Sequence, residues 1–185
     1  VTEKKGILYR VSNGKKTEVS GLPEVYQRGQ GGLMDVALHP DFNKNKTIYL
    51  TIGVHLEGEK GGNTALYCAK LNENSLSNLK LLYKGQPNTK KGQHWGSRIV
   101  FDDKGHLYFS IGDRGNRDVN PQNLNRDGGK IYRLNLDGSI PEDNPFVNQE
   151  GALKAVYSYG HRNPQGMTVD PKTSEIWENE HGPKG

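Results

Sequence analysis

A histidine and an aspartate near the middle of the chain could together act as a general base. His94 lies just before a short strand-like run, and Asp113 ends the next such run, in the segment GQHWGSRIVFDDKGHLYFSIGD. The residues DDKG between the two runs favour a tight turn, so the runs are predicted to pair as antiparallel strands. That pairing brings His94 and Asp113 to the same end of the hairpin, where a carboxylate can hold a neutral imidazole ready to accept a proton.

The strands that would position this pair belong to a pattern that repeats along the chain. One set of runs has a central tyrosine followed by a polar turn: Tyr9, Tyr67 and Tyr132. A second set has two strands around a turn that contains aspartate, with these aromatic positions: Tyr49, Tyr108 and Trp177. Both sets keep one order with a period of roughly 60 residues, which fits β-propeller blades with extended loops. A chance similarity among β-hairpins is the alternative.

The composition agrees with an all-β protein that has many turns. Glycine contributes 24 of the 185 residues and proline 9, whereas hydrophobic residues make up 32%. Many turn formers with few aliphatic residues fit short strands better than helices. Helical structure is expected only as short turns between Asn116 and Arg126. The predicted fold is therefore a β-propeller of four-stranded antiparallel blades, with residues 1–185 forming one partial propeller domain.

Three repeats are too few to close a ring, because a small propeller needs about four blades or more. An open end would leave an edge strand exposed to other chains. Two interpretations stay open. Either the chain is part of a longer propeller, or two copies pair as a homodimer and together close a ring of six blades.

Charge, hydropathy and motif content argue against several classes of function. The formal net charge is +4, but the lysines are scattered and form no basic stripe, so nucleic-acid binding is not predicted. No apolar run is long enough for a transmembrane helix, and no signal peptide is recognised. The single cysteine, Cys68, rules out an internal disulfide. The GxGxxG and Walker motifs are absent, which argues against nicotinamide cofactors and ATP.

Five segments combine residues in a way that is more specific than the propeller pattern. They are GQGGLMDVALHPDF, QHWGSRIVFDDKGHLYFSIGD, GKIYRLNLDGSIPEDNPF, YSYGHRNPQGM and EHGPKG. In this order, along nearly all of the chain, they resemble the soluble glucose/sorbosone dehydrogenase family, and its aldose sugar dehydrogenase branch in particular. The resemblance implies a six-bladed β-propeller that uses pyrroloquinoline quinone (PQQ) and Ca²⁺, continues beyond the C-terminus of this chain, and is periplasmic or secreted.

The resemblance implies that an aldose is oxidised at its C1 hydroxyl to a lactone. His94 would remove the hydroxyl proton, Asp113 would orient the His94 ring, and Arg162 would stabilise the negative charge that develops on the quinone. Hydride would pass to PQQ, and an external acceptor would take the electrons. The structural alternatives are a surface histidine for His94, a turn-capping aspartate for Asp113 and a surface ion pair for Arg162.

The cofactor contacts that the resemblance implies lie in three loops. Gln30 in GQGG would contact PQQ, as would Arg162 and Asn163 in GHRNPQG. The backbone carbonyls of Gly182 and Pro183 would bind Ca²⁺, which prefers oxygen ligands. The proline that follows Asn163 favours an extended, rigid loop.

Two other functions are kept as alternatives: a non-catalytic propeller that only binds a ligand, and a Ca²⁺-dependent lactonase-like hydrolase. The lactonase would need acidic side chains that converge on a metal ion, and no such set is evident in the sequence. The segments GDRGNRD and LNLDGSIPEDN contain clustered aspartates and asparagines but lack EF-hand spacing, so they are predicted to be structural turns. The role of His181, beside the predicted calcium ligands, is left open.

Overall fold

The computed structural model describes residues 1–55, 58 and 60–182. Its elements are β1 (Thr2–Glu3), β2 (Ile7–Ser12), β3 (Lys15–Val19), β4 (Leu33–Leu38), α1 (Phe42–Asn45), β5 (Thr47–Val54), β6 (Asn63–Asn72), β7 (Ser75–Lys84), β8 (Ile99–Phe101), β9 (His106–Ile111), β10 (Lys130–Asn135), β11 (Val156–Tyr159), β12 (Pro164–Val169) and β13 (Ile176–Glu180). Residues 116–126 form turns, as predicted, and the helical turn α1 lies elsewhere, in the connection between β4 and β5. No helix within the described ranges is long and apolar enough to cross a membrane.

The strands form antiparallel sheets of the kind predicted. Blade A has the strand order β4-β5-β6-β7, and blade B has the order β8-β9-β10-β11. The N-terminal sheet contains β1-β2-β3, and the C-terminal hairpin contains β12-β13. The third strands of the two blades carry Tyr67 and Tyr132, and β2 carries the equivalent Tyr9. The repeat read from the sequence therefore corresponds to equivalent strands, and the all-β propeller fold with four-stranded antiparallel blades is confirmed.

Successive sheets stack face to face, so blade B is buried on both sides. Alternate residues of a strand point to opposite faces. On β9, Leu107, Phe109 and Ile111 belong to the apolar cluster shared with blade A, whereas Tyr108 packs with Met167 of the C-terminal hairpin. A separate cluster joins blade A to the N-terminal sheet. The burial of both faces explains why the strands read as apolar runs with little alternation.

One end of blade B collects the loops that contain the predicted site residues. The first residue of β8, the last of β9, the first of β10 and the last of β11 lie at the same end of the antiparallel ladders. The loops 92–98, 112–129 and 160–163 adjoin these strand ends. They therefore lie together on one side of the blade, which is the arrangement that a shared site requires.

Candidate active site

The loop before β8 presents His94 beside Asp113. The His94 ring is largely buried, with 13% of the side chain exposed, and its Nδ1 lies 2.6 Å from Oδ1 of Asp113. The backbone of His94 is left-handed, with φ of 57°, a conformation that costs a residue with a Cβ about 1 kcal/mol or more. The proximity predicted from the hairpin is therefore present, and the chain holds it in a strained backbone.

The Asp113 carboxylate is buried just beyond the end of β9. Its Oδ1 accepts hydrogen bonds from the His94 ring and from the backbone N–H of Gly115, at 2.6 Å each. Turn capping, the structural alternative for Asp113, thus coexists with the contact to His94. Within the described ranges Oδ2 is buried and has no hydrogen-bond partner. An orphaned carboxylate oxygen is uncommon in folded proteins and marks this site as unusual.

The contact with Asp113 determines which nitrogen of His94 can act as a base. An ionised carboxylate can only accept hydrogen bonds, so Nδ1 carries the hydrogen in this pair. The lone pair of the neutral ring then lies on Nε2, on the opposite side from Asp113. His94 can therefore accept a proton at Nε2, and the adjacent carboxylate stabilises the imidazolium that results.

The loop 160–163 places Arg162 and Asn163 beside the pair of His94 and Asp113. Oε2 of Glu180, on the neighbouring strand β13, accepts the backbone N–H groups of both residues. The N–H of Asp113 donates to the Arg162 carbonyl at 2.7 Å, and the N–H of Gly96 donates to Oδ1 of the buried Asn163 at 3.1 Å. The predicted catalytic residues therefore lie on loops that are joined directly by hydrogen bonds.

Gln30 reaches the same site from the turn before β4. Its Oε1 accepts the backbone N–H of His94 at 2.7 Å, and its own backbone N–H donates to the Gly92 carbonyl at 2.7 Å. The turn can approach this closely because a Cβ on Gly29 would lie 2.4 Å from the same carbonyl. Gln30 thus supports the strained His94 backbone, whereas its contact with PQQ stays a prediction.

The predicted calcium ligands lie at the edge of the described structure. Pro183 falls outside the described residues. The carbonyl of Gly182 lies 3.4 Å from Nη1 of Arg162, which also donates to the His181 carbonyl at 2.7 Å. His181 thus contributes its backbone to the placement of Arg162. A guanidinium at the Gly182 carbonyl competes with any divalent cation for that oxygen.

Two residues of the site were missed by sequence reasoning. Glu180 holds the loop of Arg162, but in the sequence it is only one charged residue of an exposed-looking segment. Arg114 lies in GDRGNRD, which was predicted to be a structural turn, yet it is 1% exposed and its guanidinium stacks 3.5 Å from the centroid of the Trp95 ring. Burial lowers the pKa of Arg114 to about 9. No periodic pattern marks a buried arginine, so the sequence held no signal for it.

A second polar cluster lies behind the loop 160–163. One ligand atom each from His161, Glu178 and Glu180 lies within 4.8 Å of the others. The two glutamates share a face of β13, and burial raises the pKa of Glu178. However, His161 is already bonded through Nε2 to Ser158 at 2.8 Å and pairs through Nδ1 with Glu178 at 3.4 Å. These contacts support the loop internally, although Oε2 of Glu178 is buried without a hydrogen-bond partner within the described ranges.

Comparison with known proteins agrees with these features. The family model described as Glucose / Sorbosone dehydrogenase matches residues 1–185. Aldose sugar dehydrogenase YliI of Escherichia coli (strain K12) is 38% identical over 179 residues, which are 96% of this chain and 48% of that protein. Quinoprotein glucose dehydrogenase B of Acinetobacter calcoaceticus is 31% identical over 96% of this chain and 42% of that protein.

Solved structures show the same similarity in three dimensions. The apo form of the soluble aldose sugar dehydrogenase from Escherichia coli superposes with a TM-score of 0.93 at 37% identity, over 100% of this chain and 54% of that one. The PQQ-bound form of an aldose sugar dehydrogenase from Streptomyces coelicolor gives 0.80 at 31% identity, over 96% and 51%. The chain thus spans about half the length of these relatives. With its whole length matched, the chain belongs to the glucose/sorbosone dehydrogenase family.

Proposed function

We propose that the protein is a quinoprotein oxidoreductase that oxidises the C1 hydroxyl of an aldose to a lactone. The observation that carries the proposal is the pair of His94 and Asp113, in which His94 has a left-handed backbone and Asp113 keeps a buried oxygen without a partner among the described residues. The backbone N–H of Asp113 also donates to the carbonyl of Arg162, which joins the pair to the loop of that arginine. The relatives named as an aldose sugar dehydrogenase and a quinoprotein glucose dehydrogenase support this substrate class.

His94, Asp113 and Arg162 have different roles in the proposed reaction. His94 accepts the C1 hydroxyl proton at Nε2, and Asp113 stabilises the imidazolium while fixing the ring. The positive charge of Arg162 would stabilise the negative charge that develops on the quinone oxygen when PQQ is bound. A positioned general base of this kind contributes about 10²- to 10⁴-fold to the rate.

PQQ, when bound, supplies the quinone that accepts hydride and passes electrons to an external acceptor. The donor set suits such a group, because Arg162 is a cation and the exposed Gln30 has an amide NH₂ group to donate while its Oε1 accepts the His94 N–H. The amide oxygen of Asn163 already accepts the Gly96 N–H, so this residue suits a supporting role. For Ca²⁺ the fit is poorer, because the guanidinium of Arg162 lies 3.4 Å from the Gly182 carbonyl oxygen and its charge would repel a cation bound there. We therefore assign no step to Ca²⁺.

The length of the relatives bears on assembly. Since this chain covers about half of each, we infer that residues 1–185 form part of one propeller domain that continues beyond them in the whole protein. A homodimer that closes a six-bladed ring is the alternative, and size-exclusion chromatography that shows a strict monomer would eliminate it. A periplasmic or secreted location is part of the same proposal.

Reconstitution tests the proposal directly. PQQ and CaCl₂ are added to the purified protein with glucose or another aldose and a dye as electron acceptor. We expect dye reduction that disappears when the aldose or PQQ is omitted. PQQ binding without reduction would instead indicate the non-catalytic binding module. Hydrolysis of a sugar lactone with Ca²⁺ and no PQQ would indicate the lactonase, for which the cluster of His161, Glu178 and Glu180 is the starting point.

A further inference from the structure

Arg114 is a cation buried beneath the loop that presents His94. The ion pairs found across the described part of the chain do not include it, and its Nε is buried without a hydrogen-bond partner. Burial of a charge that lacks a salt-bridge partner is costly. The lowered pKa of Arg114, about 9, reflects that cost. The hydrogen bonds that the guanidinium donates to backbone carbonyls, including that of Gly62 at 3.5 Å, offset part of this cost.

The guanidinium binds the backbone of the His94 loop. Nη1 donates to the carbonyls of Gln93 and His94, the latter at 3.3 Å, and Nη2 donates to the carbonyl of Lys91 at 3.3 Å. The guanidinium plane also stacks on the ring of Trp95. One planar group thus binds several carbonyls within four successive residues in a fixed geometry, which an ammonium group on a flexible stem reproduces only in part.

These hydrogen bonds hold the backbone of His94 in a conformation that is unfavourable by itself. The left-handed conformation of His94 persists only where its surroundings hold it. Gln30 accepts the N–H of His94 from one side, and Arg114 binds its carbonyl from the other. The charge of Arg114 also interacts with Asp113, whose Oδ2 is otherwise buried without a partner.

We infer that Arg114 is a positioning residue, which holds the left-handed backbone of His94 through the carbonyls of Gln93 and His94 and thereby maintains the bond between the His94 ring and Asp113. The contacts of Arg114 within the described ranges are to backbone carbonyls and to the Trp95 ring, so its role is assigned through His94. The catalytic consequence rests on the proposed function, whereas the effect on the His94 ring can be measured without it.

The test uses three variants of the full chain. Arg114→Met keeps an unbranched apolar stem but removes the guanidinium, with its charge, its donors and its contact with Trp95. Arg114→Lys keeps the charge but lacks the planar fork of donors, so it can retain only part of this set of hydrogen bonds. Arg117→Met is the matched control, because Arg117 lies in the same loop with 70% of its side chain exposed. Thermal unfolding shows whether each variant is folded.

The decisive measurement is the NMR signal of the His94 Nδ1–H, assigned by its loss in His94→Ala. We expect its exchange with water to accelerate about tenfold or more in Arg114→Met, less in Arg114→Lys, and not at all in Arg117→Met. A wild-type signal in folded Arg114→Met overturns the inference. If Arg114→Met does not fold, Arg114→Lys decides: accelerated exchange supports the inference, and a wild-type signal rejects it.

Activity of the reconstituted protein gives a second readout. We expect kcat of Arg114→Met to fall about tenfold or more with KM for the aldose nearly unchanged, because a displaced base impairs the chemical step. If the wild type itself does not oxidise aldoses, the proposed function fails while the NMR result still decides the role of Arg114. If the wild type is active and Arg114→Met equals it, the catalytic consequence fails alone.

Discussion

The hairpin of β8 and β9 carries a histidine–aspartate pair at each of its two ends. At one end, Nδ1 of His94 lies 2.6 Å from Asp113. At the other, Nδ1 of His106 lies 2.8 Å from Asp102. The side chains are similarly buried, with 13% and 1% exposed in the first pair and 16% and 6% in the second. Distance and burial therefore do not distinguish a candidate base from a structural pair.

The surroundings of the two carboxylates do differ. Asp102 is fully engaged, because it also accepts the backbone N–H groups of His106 and Lys104 and the hydroxyl of Tyr108. All these partners lie within the same hairpin. Asp113, in contrast, keeps an orphaned oxygen, and its histidine has a strained backbone. Strain and incomplete pairing are typical of functional sites, whereas local, satisfied pairs are typical of turns.

The largest expected difference between the two pairs is in catalysis. His94→Ala removes the base, so we expect kcat of the reconstituted enzyme to fall about 10²- to 10⁴-fold. The matched variant His106→Ala should stay within about twofold of the wild type, because His106 lies at the opposite end of the hairpin. Steady-state kinetics with one aldose and one dye measures both. Full activity in His94→Ala would remove the assignment of the base.

Substitution of a glycine at each end of the hairpin should lower the free energy of unfolding by different amounts. A Cβ at Gly112 would lie 2.5 Å from the His94 carbonyl oxygen and 2.6 Å from Oδ1 of Asn163, whereas a Cβ at Gly105 meets nothing within 4 Å. We expect Gly112→Ala to lower the free energy of unfolding by about 3 kcal/mol through overpacking. Gly105→Ala, at φ of 87°, should cost only about 1 kcal/mol through backbone strain. Urea unfolding measures both, and equal losses would contradict the close packing at Gly112.

The comparison also shows what the sequence could predict. The blades and the proximity of His94 to Asp113 follow from local signals, namely apolar runs, turn residues and the pairing of consecutive strands. The support of His94 by Gln30 and Arg114 depends on loops that meet only in the folded protein. The segment GDRGNRD was predicted to be a structural turn, and nothing in its sequence marks a guanidinium that packs on Trp95 and binds backbone carbonyls.

The smallest expected effect concerns the pH dependence of stability at the structural pair. Burial by itself would raise the pKa of Asp102, but hydrogen bonds from the His106 and Lys104 N–H groups and from the His106 ring outweigh it and lower the pKa below its ordinary value of 3.8. The ionised carboxylate therefore stabilises the fold above about pH 4, and this contribution is lost as the pH falls through the lowered pKa. Asp102→Asn should cost about 1 kcal/mol at pH 7.

Urea unfolding of the wild type and Asp102→Asn between about pH 3 and pH 7 measures this contribution. The difference in unfolding free energy should shrink towards the acid end, while the reconstituted activity at pH 7 stays near that of the wild type. A difference that is constant with pH would mean that Asp102 acts through packing and not through its charge. A large loss of activity would mean that the two ends of the hairpin are coupled, and that the pair at His106 belongs to the functional site after all.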